Sequence, residues 1–331
     1  MKKKYQNGFF IFGIAVLIIM VTQLDFPMVW ANLKRAGYWF FAILGLWIFL
    51  YIFNTLSWYL IIRSGRKGKS EIGFWWLYKV TISGFALNYA TPGGLMGGEP
   101  YRIMALSPKI GTERASSSVI LYAMTHIFSH FCFWFFSVFL YIFTMPMNVF
   151  MGVLLTIISA FCLLGIWFFF VGYRDGMAVR ALNLLRHFPG IKRWAERFLE
   201  KHDEQLRNID SQIAALHKQN RATFISAVGL EFICRILGGL EVYFVLLVLT
   251  PDVNFIQCVL IMAFTTLFAN LLFFIPLQLG GREGGFMMST AGMAMPASFG
   301  IFTGLLVRIR ELIWTAIGLL LIKLDKTSKS S

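Results

Sequence analysis

Apolar runs long enough to cross a membrane recur from one end of the 331-residue chain to the other. A hydrocarbon core about 30 Å thick needs roughly 20 apolar residues in a helix. Only 14% of the residues are charged, against about a quarter in soluble domains. These features exclude a soluble globular fold and predict an all-α, polytopic helical membrane protein. Its eight apolar segments lie at about 8–24, 37–62, 72–106, 115–143, 149–172, 222–249, 254–295 and 297–322.

Basic residues flank these segments and give the chain a net charge of +14. In a membrane protein such residues orient the loops and contact lipid headgroups, so we expect membrane lipids, anionic ones above all, as partners and no nucleic acid. Lysines at positions 2–4 precede the first segment, and no small-residue cleavage site follows it. We therefore expect a retained first helix that starts in the cytoplasm.

The third and the seventh segments are interrupted near their middles by glycine and proline. The first break runs from Thr91 to Pro100 and the second from Pro276 to Gly285. Both residue types break helices, and non-helical backbone at membrane depth must be covered by protein or line a watery cavity. We expect each of these segments to form a broken hairpin.

The distribution of basic residues predicts that both hairpins are re-entrant. If each enters and leaves on one side, 22 basic residues face the cytoplasm and only Lys34 and Arg35 face outside. Single crossings would move the ten basic residues from Arg174 to Arg221 outside, against the positive-inside rule. We predict six spanning helices, two re-entrant hairpins and both termini in the cytoplasm, in a single transmembrane domain over residues 1–331.

The two breaks resemble one another. In each, a glutamate follows a proline by seven residues with two adjacent glycines between them, an asparagine precedes, and an arginine is close by. The predicted topology makes the hairpins antiparallel, as in an inverted repeat with a substrate site near the midplane, its halves at about 37–143 and 222–323. The matching residues are Asn88, Pro92, Gly97, Gly98, Glu99 and Arg102, then Asn270, Pro276, Gly280, Gly281, Arg282 and Glu283.

With these residues the chain resembles the flippase-like transmembrane family, which includes the membrane domain of lysylphosphatidylglycerol synthase. The resemblance rests on Asn88–Arg102 and Gly280–Gly284 and covers nearly the whole chain. It implies a bacterial cytoplasmic (inner) membrane and a role in presenting or translocating lipids. Only Lys323–Ser331 follow the last apolar segment. We therefore expect no soluble aminoacyl-transferase domain and no synthase activity.

Charges in hydrocarbon cost at least about 2.5–3.5 kcal/mol each on insertion scales, so they mark candidate sites. Pro100 suits the first position of a helix, which puts Glu99 near a helix N-terminus, where anions are favoured. We predict that Arg102, Arg282 and the Gly-rich breaks hold a lipid phosphate, while Glu99 and Glu283 orient the arginines or bind a proton or cation. The alternative is that Glu99–Arg102 and Arg282–Glu283 only neutralise one another. The first break contributes Pro92, Gly93, Gly94, Gly97 and Gly98 to this site.

Other intramembrane charges are spaced for pairing on one helix. Glu231 and Arg235 are four residues apart, and Arg308 and Glu311 are three apart. Structural pairing is the first interpretation of both sets, and lining of a polar cavity is the second. Glu241, nearer the outer end of its helix, is left without an evident role.

His126 and His130 are four residues apart in an apolar helix, a spacing that can chelate a metal. No third ligand is near in sequence and the HExxH motif is missing. We therefore predict hydrogen bonds from these histidines to a neighbouring helix or hairpin, and no metal or other cofactor. The four cysteines lie in apolar runs without CxxC spacing and are expected to be small core side chains.

The cytoplasmic segment 174–221 is the only sizeable soluble part. Apolar residues at spacings of three and four between Leu199 and Leu216 predict one apolar helix face. The segment either lies on the membrane surface or packs as a short helical hairpin. A regulatory role or a protein partner is a further hypothesis for it.

The leading functional hypothesis is a flippase-like transporter of a phospholipid or a lipid-linked sugar, with its site where the two hairpins meet. The chain has no Walker A motif, so transport would be passive, ion-coupled or partner-driven. The first alternative is a lipid-modifying enzyme that uses Glu99, Glu283 or a histidine, although no nucleophile–base arrangement is visible. The second is an accessory scaffold of lipid or cell-envelope synthesis.

Overall fold

The computed structural model describes residues 3–22, 25–64, 72–90, 97–175, 221–272 and 280–324. All regular structure in these ranges is α-helical, which confirms the predicted all-α class. The helices are α1 (Lys3–Thr22), α2 (Phe26–Ala36), α3 (Trp39–Arg63), α4 (Phe74–Ala90), α5 (Gly98–Ile110), α6 (Thr112–Thr144), α7 (Val149–Asp175), α8 (Arg221–Leu246), α9 (Phe255–Leu271), α10 (Gly281–Gly292) and α11 (Ala297–Leu324).

Several helices have the length and composition of membrane spans. Among the described residues, α3, α6, α7 and α8 are long and apolar enough to cross a membrane, and α1 with α2 would make a fifth span. Large apolar side chains stay exposed on the outside of the bundle, as at Phe150, Ile157, Leu164 and Trp167 of α7. An extended apolar surface of this kind is typical of contact with lipid. The chain is a polytopic membrane protein.

The last helix, α11, carries charged residues at its centre. Arg308, Arg310 and Glu311 are buried, with exposed fractions of 6, 2 and 3%. The helix packs against α10, α4 and α1. Its charges therefore face protein and not lipid, as intramembrane charges must.

Each Gly/Pro-interrupted segment consists of two helices. α4 ends at Ala90 and α5 begins at Gly98, while α9 ends at Leu271 and α10 begins at Gly281. The two helices of each segment pack against one another. α10 starts from Gly280, whose φ of +77° lies in the left-handed region that favours glycine. The helix breaks predicted from glycine and proline are confirmed.

The helix contacts repeat when the two halves of the chain are exchanged. In this exchange α3, α4, α5 and α6 correspond to α8, α9, α10 and α11. Five contacts recur when each helix is replaced by its counterpart: α4–α5 matches α9–α10, α5–α6 matches α10–α11, α4–α11 matches α9–α6, α3–α6 matches α8–α11, and α3–α11 matches α8–α6. In addition, α3 packs on its own counterpart α8. The contact of α1 with α11 likewise matches that of α7 with α6. The correspondence thus extends one helix beyond each predicted half.

The substitution Gly300→Ala is expected to destabilise the contact between α10 and α11. A Cβ atom at Gly300 would lie 2.5 Å from the Phe286 carbonyl oxygen and the Met287 Cα atom, so the helices would have to separate. Overpacking of this kind costs about 1–3 kcal/mol. Thermal unfolding in detergent micelles should show a lower midpoint than for Gly229→Ala, where a Cβ meets nothing within 4 Å. Equal midpoints for the two variants would contradict this account of the packing.

Candidate functional site

The first hairpin is closed by a hydrogen-bonded group at the start of α5. Glu99 lies in the first turn of that helix, as Pro100 predicts. Its Oε1 accepts hydrogen bonds from Asn88 Nδ2 at 3.1 Å and from Arg102 Nη1 at 3.0 Å. Asn88 Oδ1 in turn accepts from the backbone N–H of Gly98 at 2.7 Å. The end of α4 is therefore tied to the start of α5, with Gly97 as the N-cap residue.

Arg102 is buried in an aromatic cage. Its side chain is 2% exposed, and its Cζ atom lies 4.8 Å from the ring centroid of Phe85, 5.3 Å from that of Tyr122 and 5.7 Å from that of Trp58. A Cβ atom on residue 84 would overlap the Arg102 guanidinium, so the close approach requires glycine at that position. These contacts fix α5 to α3, α4 and α6, so Arg102 is a packing and pairing residue of the hairpin.

The second hairpin uses its charges differently from the local Arg282–Glu283 pair that is the alternative to a phosphate site. Glu283 Oε2 accepts from the backbone N–H of Gly280 at 3.1 Å, and its Oε1 pairs with Arg308 Nη2 at 2.6 Å. Arg282 pairs instead with Glu311. The predicted pair of Arg308 with Glu311 is wrong for the same reason, since both residues bind partners on α10. Bonds between helices replace both of the local pairs.

The two hairpins meet at Tyr89. Its hydroxyl, in the last turn of α4, donates to Glu311 Oε1 at 2.7 Å and accepts from Arg282 Nη1 at 3.2 Å. Arg282 lies in the first turn of α10. The Tyr89 hydroxyl therefore connects the break in the first segment to the break in the second. Sequence analysis did not single out Tyr89, although it follows Asn88 directly in the first motif.

Glu241 has a partner that its sequence neighbours do not show. Arg310 donates to both of its oxygens, from Nε at 2.7 Å and from Nη2 at 3.0 Å, and both residues are almost fully buried. The Arg310 Cζ atom also lies 3.9 Å from the ring centroid of Trp47. Its Nη2 is 3.7 Å from Glu311 Oε1, which connects this pair to the meeting point of the hairpins.

The two histidines of α6 bind residues of α8, as predicted for a neighbouring helix. His126 Nδ1 lies 2.8 Å from Glu231 Oε2, and Asn54 of α3 donates to both oxygens of that carboxylate. His130 Nε2 lies 2.8 Å from Arg235 Nη1. The predicted pair of Glu231 and Arg235 is long, at 3.9 Å. No metal-binding group of three or more His, Cys, Asp or Glu side chains occurs in the described part of the chain.

Not every predicted site residue joins these clusters. Asn270 is exposed and donates to the carbonyl of Thr266, on its own helix, at 2.7 Å. This bond stays within one helix, unlike the bonds of buried Asn88, and a role of Asn270 in substrate binding stays a prediction. Parts of both breaks and most of the cytoplasmic segment lie outside the described residues: 91–96, which include Pro92, Gly93 and Gly94, then 273–279, which include Pro276, and 176–220.

The charges of the ion pairs described above balance. Five glutamates and five arginines take part, and each is in an ion pair with another member of the set. With both histidines neutral the set has no net charge, which minimises the cost of burying it in a membrane. The members are Glu99, Glu231, Glu241, Glu283, Glu311, Arg102, Arg235, Arg282, Arg308 and Arg310.

Removing one partner of the Glu241–Arg310 pair should destabilise the protein strongly. Glu241→Gln leaves Arg310 without its carboxylate, and breaking a buried pair costs about 3–5 kcal/mol. The double variant Glu241→Gln, Arg310→Gln should recover part of this loss, measured by thermal unfolding in detergent. Lys323→Gln is the control, because that lysine bonds Asn7 at an exposed position. Strictly additive losses in the double variant would show that the pair is not coupled.

Comparison with known proteins identifies the family of the chain. The family model described as the lysylphosphatidylglycerol synthase TM region matches residues 8–318. No curated protein and no solved structure matches the chain. The match includes both broken segments and all ten charged residues of the clusters. The chain belongs to the family of the lysylphosphatidylglycerol synthase transmembrane region.

Proposed function

We propose that the protein translocates a phospholipid or a lipid-linked substrate across the bacterial cytoplasmic membrane. The observation that carries this proposal is the contact of Tyr89 with both Arg282 and Glu311, which joins the two broken hairpins at one point. In transporters built from repeats, broken helices of the two halves share a substrate site, and one half moves against the other to expose it. Membership of a family related to lipid synthesis supports a lipid as the cargo.

The proposal includes re-entrant hairpins, an inverted repeat and cytoplasmic termini. α5 has 13 residues and α10 has 12, so they are about 20 and 18 Å long. Both are shorter than a hydrocarbon core of about 30 Å. The exchange of helix contacts between the two halves supports the repeat, and the distribution of basic residues supports the orientation.

Arg282 is the residue best placed to contact a lipid phosphate. Its side chain is 21% exposed and that of Glu283 is 33% exposed, whereas Arg102 is 2% exposed. Arg282 also lies in the first turn of α10, where backbone N–H groups and the helix dipole favour an anion. In this arrangement Arg282 binds the headgroup, and Arg102 holds Glu99 and the first hairpin in place.

Binding at Arg282 would displace Glu311, and the structure offers that carboxylate another partner. A phosphate on Arg282 competes with Glu311 for the same guanidinium, and an unpaired carboxylate at membrane depth is costly. Arg310 Nη2 lies only 3.7 Å from Glu311 Oε1, and its Nη1 has no hydrogen-bond partner among the described residues. A shift of Glu311 toward Arg310, its neighbour on α11, would release the Arg282–Glu311 contact between α10 and α11 and would thereby link headgroup binding to motion between the hairpins.

Replacing Arg282 by glutamine should slow lipid exchange at least about tenfold, because a charged hydrogen bond worth about 1.5–3 kcal/mol is lost from the headgroup. Exchange of fluorescent phospholipids between leaflets of proteoliposomes, followed with a membrane-impermeant quencher, measures this directly. Arg221→Gln is the matched control, since that arginine is exposed at the first residue of α8. A correctly folded Arg282 variant with the wild-type exchange rate would contradict the assignment.

The double variant Glu99→Gln, Glu283→Gln tests whether both hairpins are needed. Each substitution weakens the interaction with one arginine, Arg102 or Arg308, so exchange should fall further than in either single variant. Mass spectrometry of the same membranes should show unchanged lipid species, since a transporter alters the leaflet and not the molecule. No exchange by the wild-type protein with any lipid class would reject the proposed function.

A further inference from the structure

We propose that His126 is a proton-binding site and that one proton crosses the membrane together with each anionic lipid headgroup. The inference rests on the proposed function and adds its energy source. It is carried by three features of the described residues: the placement of His126, the bonding of its neighbour His130, and the charge balance of the buried clusters.

His126 lies between a buried carboxylate and the accessible side of the cluster. Its Nδ1 atom is 2.8 Å from Glu231 Oε2, and the Glu231 side chain is 1% exposed. The His126 side chain itself is 25% exposed. With Nδ1–H donated to the carboxylate, Nε2 remains as the atom that can accept a proton. A proton bound there gives an imidazolium whose partner, Glu231, is already in place.

His130 cannot take this role without breaking the cluster. Arg235 Nη1 lies 2.8 Å from His130 Nε2, and because a guanidinium only donates, that nitrogen must accept. His130 therefore carries its proton on Nδ1 and is neutral. Arg235 is held in place by Ser129 Oγ at 2.9 Å and by the His126 carbonyl at 2.7 Å. Protonation of His130 would expel the arginine, whereas protonation of His126 would not.

Charged and titratable groups face His126 from several helices. Glu231 and Arg235 come from α8. Arg102 comes from α5 and lies over the rings of Phe85 and Tyr122, which also neighbour His126. The ring of Phe85 on α4 lies 5.8 Å from the imidazole, and Tyr122 and His130 flank it on α6 at 6.3 and 5.4 Å. α3 contributes the neutral amide of Asn54 through Glu231, while α9 meets α6 through Thr266 and Phe264. Among the described residues, Glu231 is thus the one carboxylate in direct contact with the imidazole.

The charge balance supplies the reason for a proton. The five glutamates and five arginines cancel, so a monoanionic headgroup would enter a neutral site with an uncompensated charge. One proton on His126 restores neutrality in the loaded state. Phe85 touches both the imidazole and the Arg102 guanidinium, which places the proton next to the first hairpin. Loaded and empty carriers are then both neutral, and neither pays the cost of moving net charge through hydrocarbon.

Coupling can be read from the equilibrium distribution of a trace of acyl-labelled phosphatidylglycerol in phosphatidylcholine proteoliposomes. Cotransport of one proton with each anion predicts that the label accumulates in the leaflet facing the alkaline side, about tenfold for each unit of pH difference. Because the pair is electroneutral, a potassium diffusion potential at equal pH should leave the distribution unchanged. Protein-free vesicles give the background redistribution over the same time.

His126→Asn is the test variant, because the asparagine amide can still donate to Glu231 but cannot be protonated. It should lose the accumulation driven by the pH gradient while keeping the thermal unfolding midpoint of the wild type within a few degrees. His217→Gln controls for the loss of a histidine elsewhere in the chain.

Four outcomes are distinct. Accumulation on the alkaline side that is lost in His126→Asn supports the proposal. Wild-type exchange that follows the electrical potential and ignores the pH gradient overturns proton coupling and leaves the transport function standing. Gradient-driven accumulation that persists in a folded His126→Asn protein overturns the assignment of the proton to this residue. No exchange of any lipid removes the transport function, and proton coupling with it.

Discussion

The structure depends on pairing charges between helices in an environment that cannot solvate them. A charge left alone at membrane depth costs several kcal/mol, so Arg282, Arg308 and Arg310 each fix the position of a carboxylate on another helix. Arg310 with Glu241 joins α11 to α8, and Arg282 with Glu311 joins α10 to α11. Apolar packing alone cannot fix such positions, since lipid tails compete equally well for an apolar surface.

Close packing at glycine makes each hairpin a compact unit beside these pairs. A Cβ atom at Gly98 would overlap the Gly84 carbonyl and Asn88, and one at Gly304 would crowd Glu283. Helices whose backbones approach this closely have little room to slide against one another within one half of the chain. Motion between the halves therefore has to occur where polar groups can change partners, as at Tyr89 and Glu311.

The sequence predicts the helical class, the helix breaks and the residue types of the site, because hydrophobic length, glycine and proline act locally. It predicts the pairing partners poorly. Spacings of three and four identify neighbours on one helix and predict that Arg308 pairs with Glu311, whereas packing brings Arg308 to Glu283. Tyr89 and Glu241 acquire their roles only from helices far away in the chain. Asn270 matches Asn88 in sequence position, but the face of a helix that turns inward is decided by its neighbours.

The balance of five paired glutamates against five paired arginines also has a consequence at the membrane surface. Since this paired set has no net charge, the whole excess of +14 is carried by the other residues of the chain. Basic residues beside a bilayer attract anionic lipids by about 1 kcal/mol each within a Debye length. We propose on this ground that the protein enriches anionic lipids in the ring of lipid molecules that surrounds it. The local supply of such lipids would then exceed their bulk mole fraction and would decline as ionic strength rises.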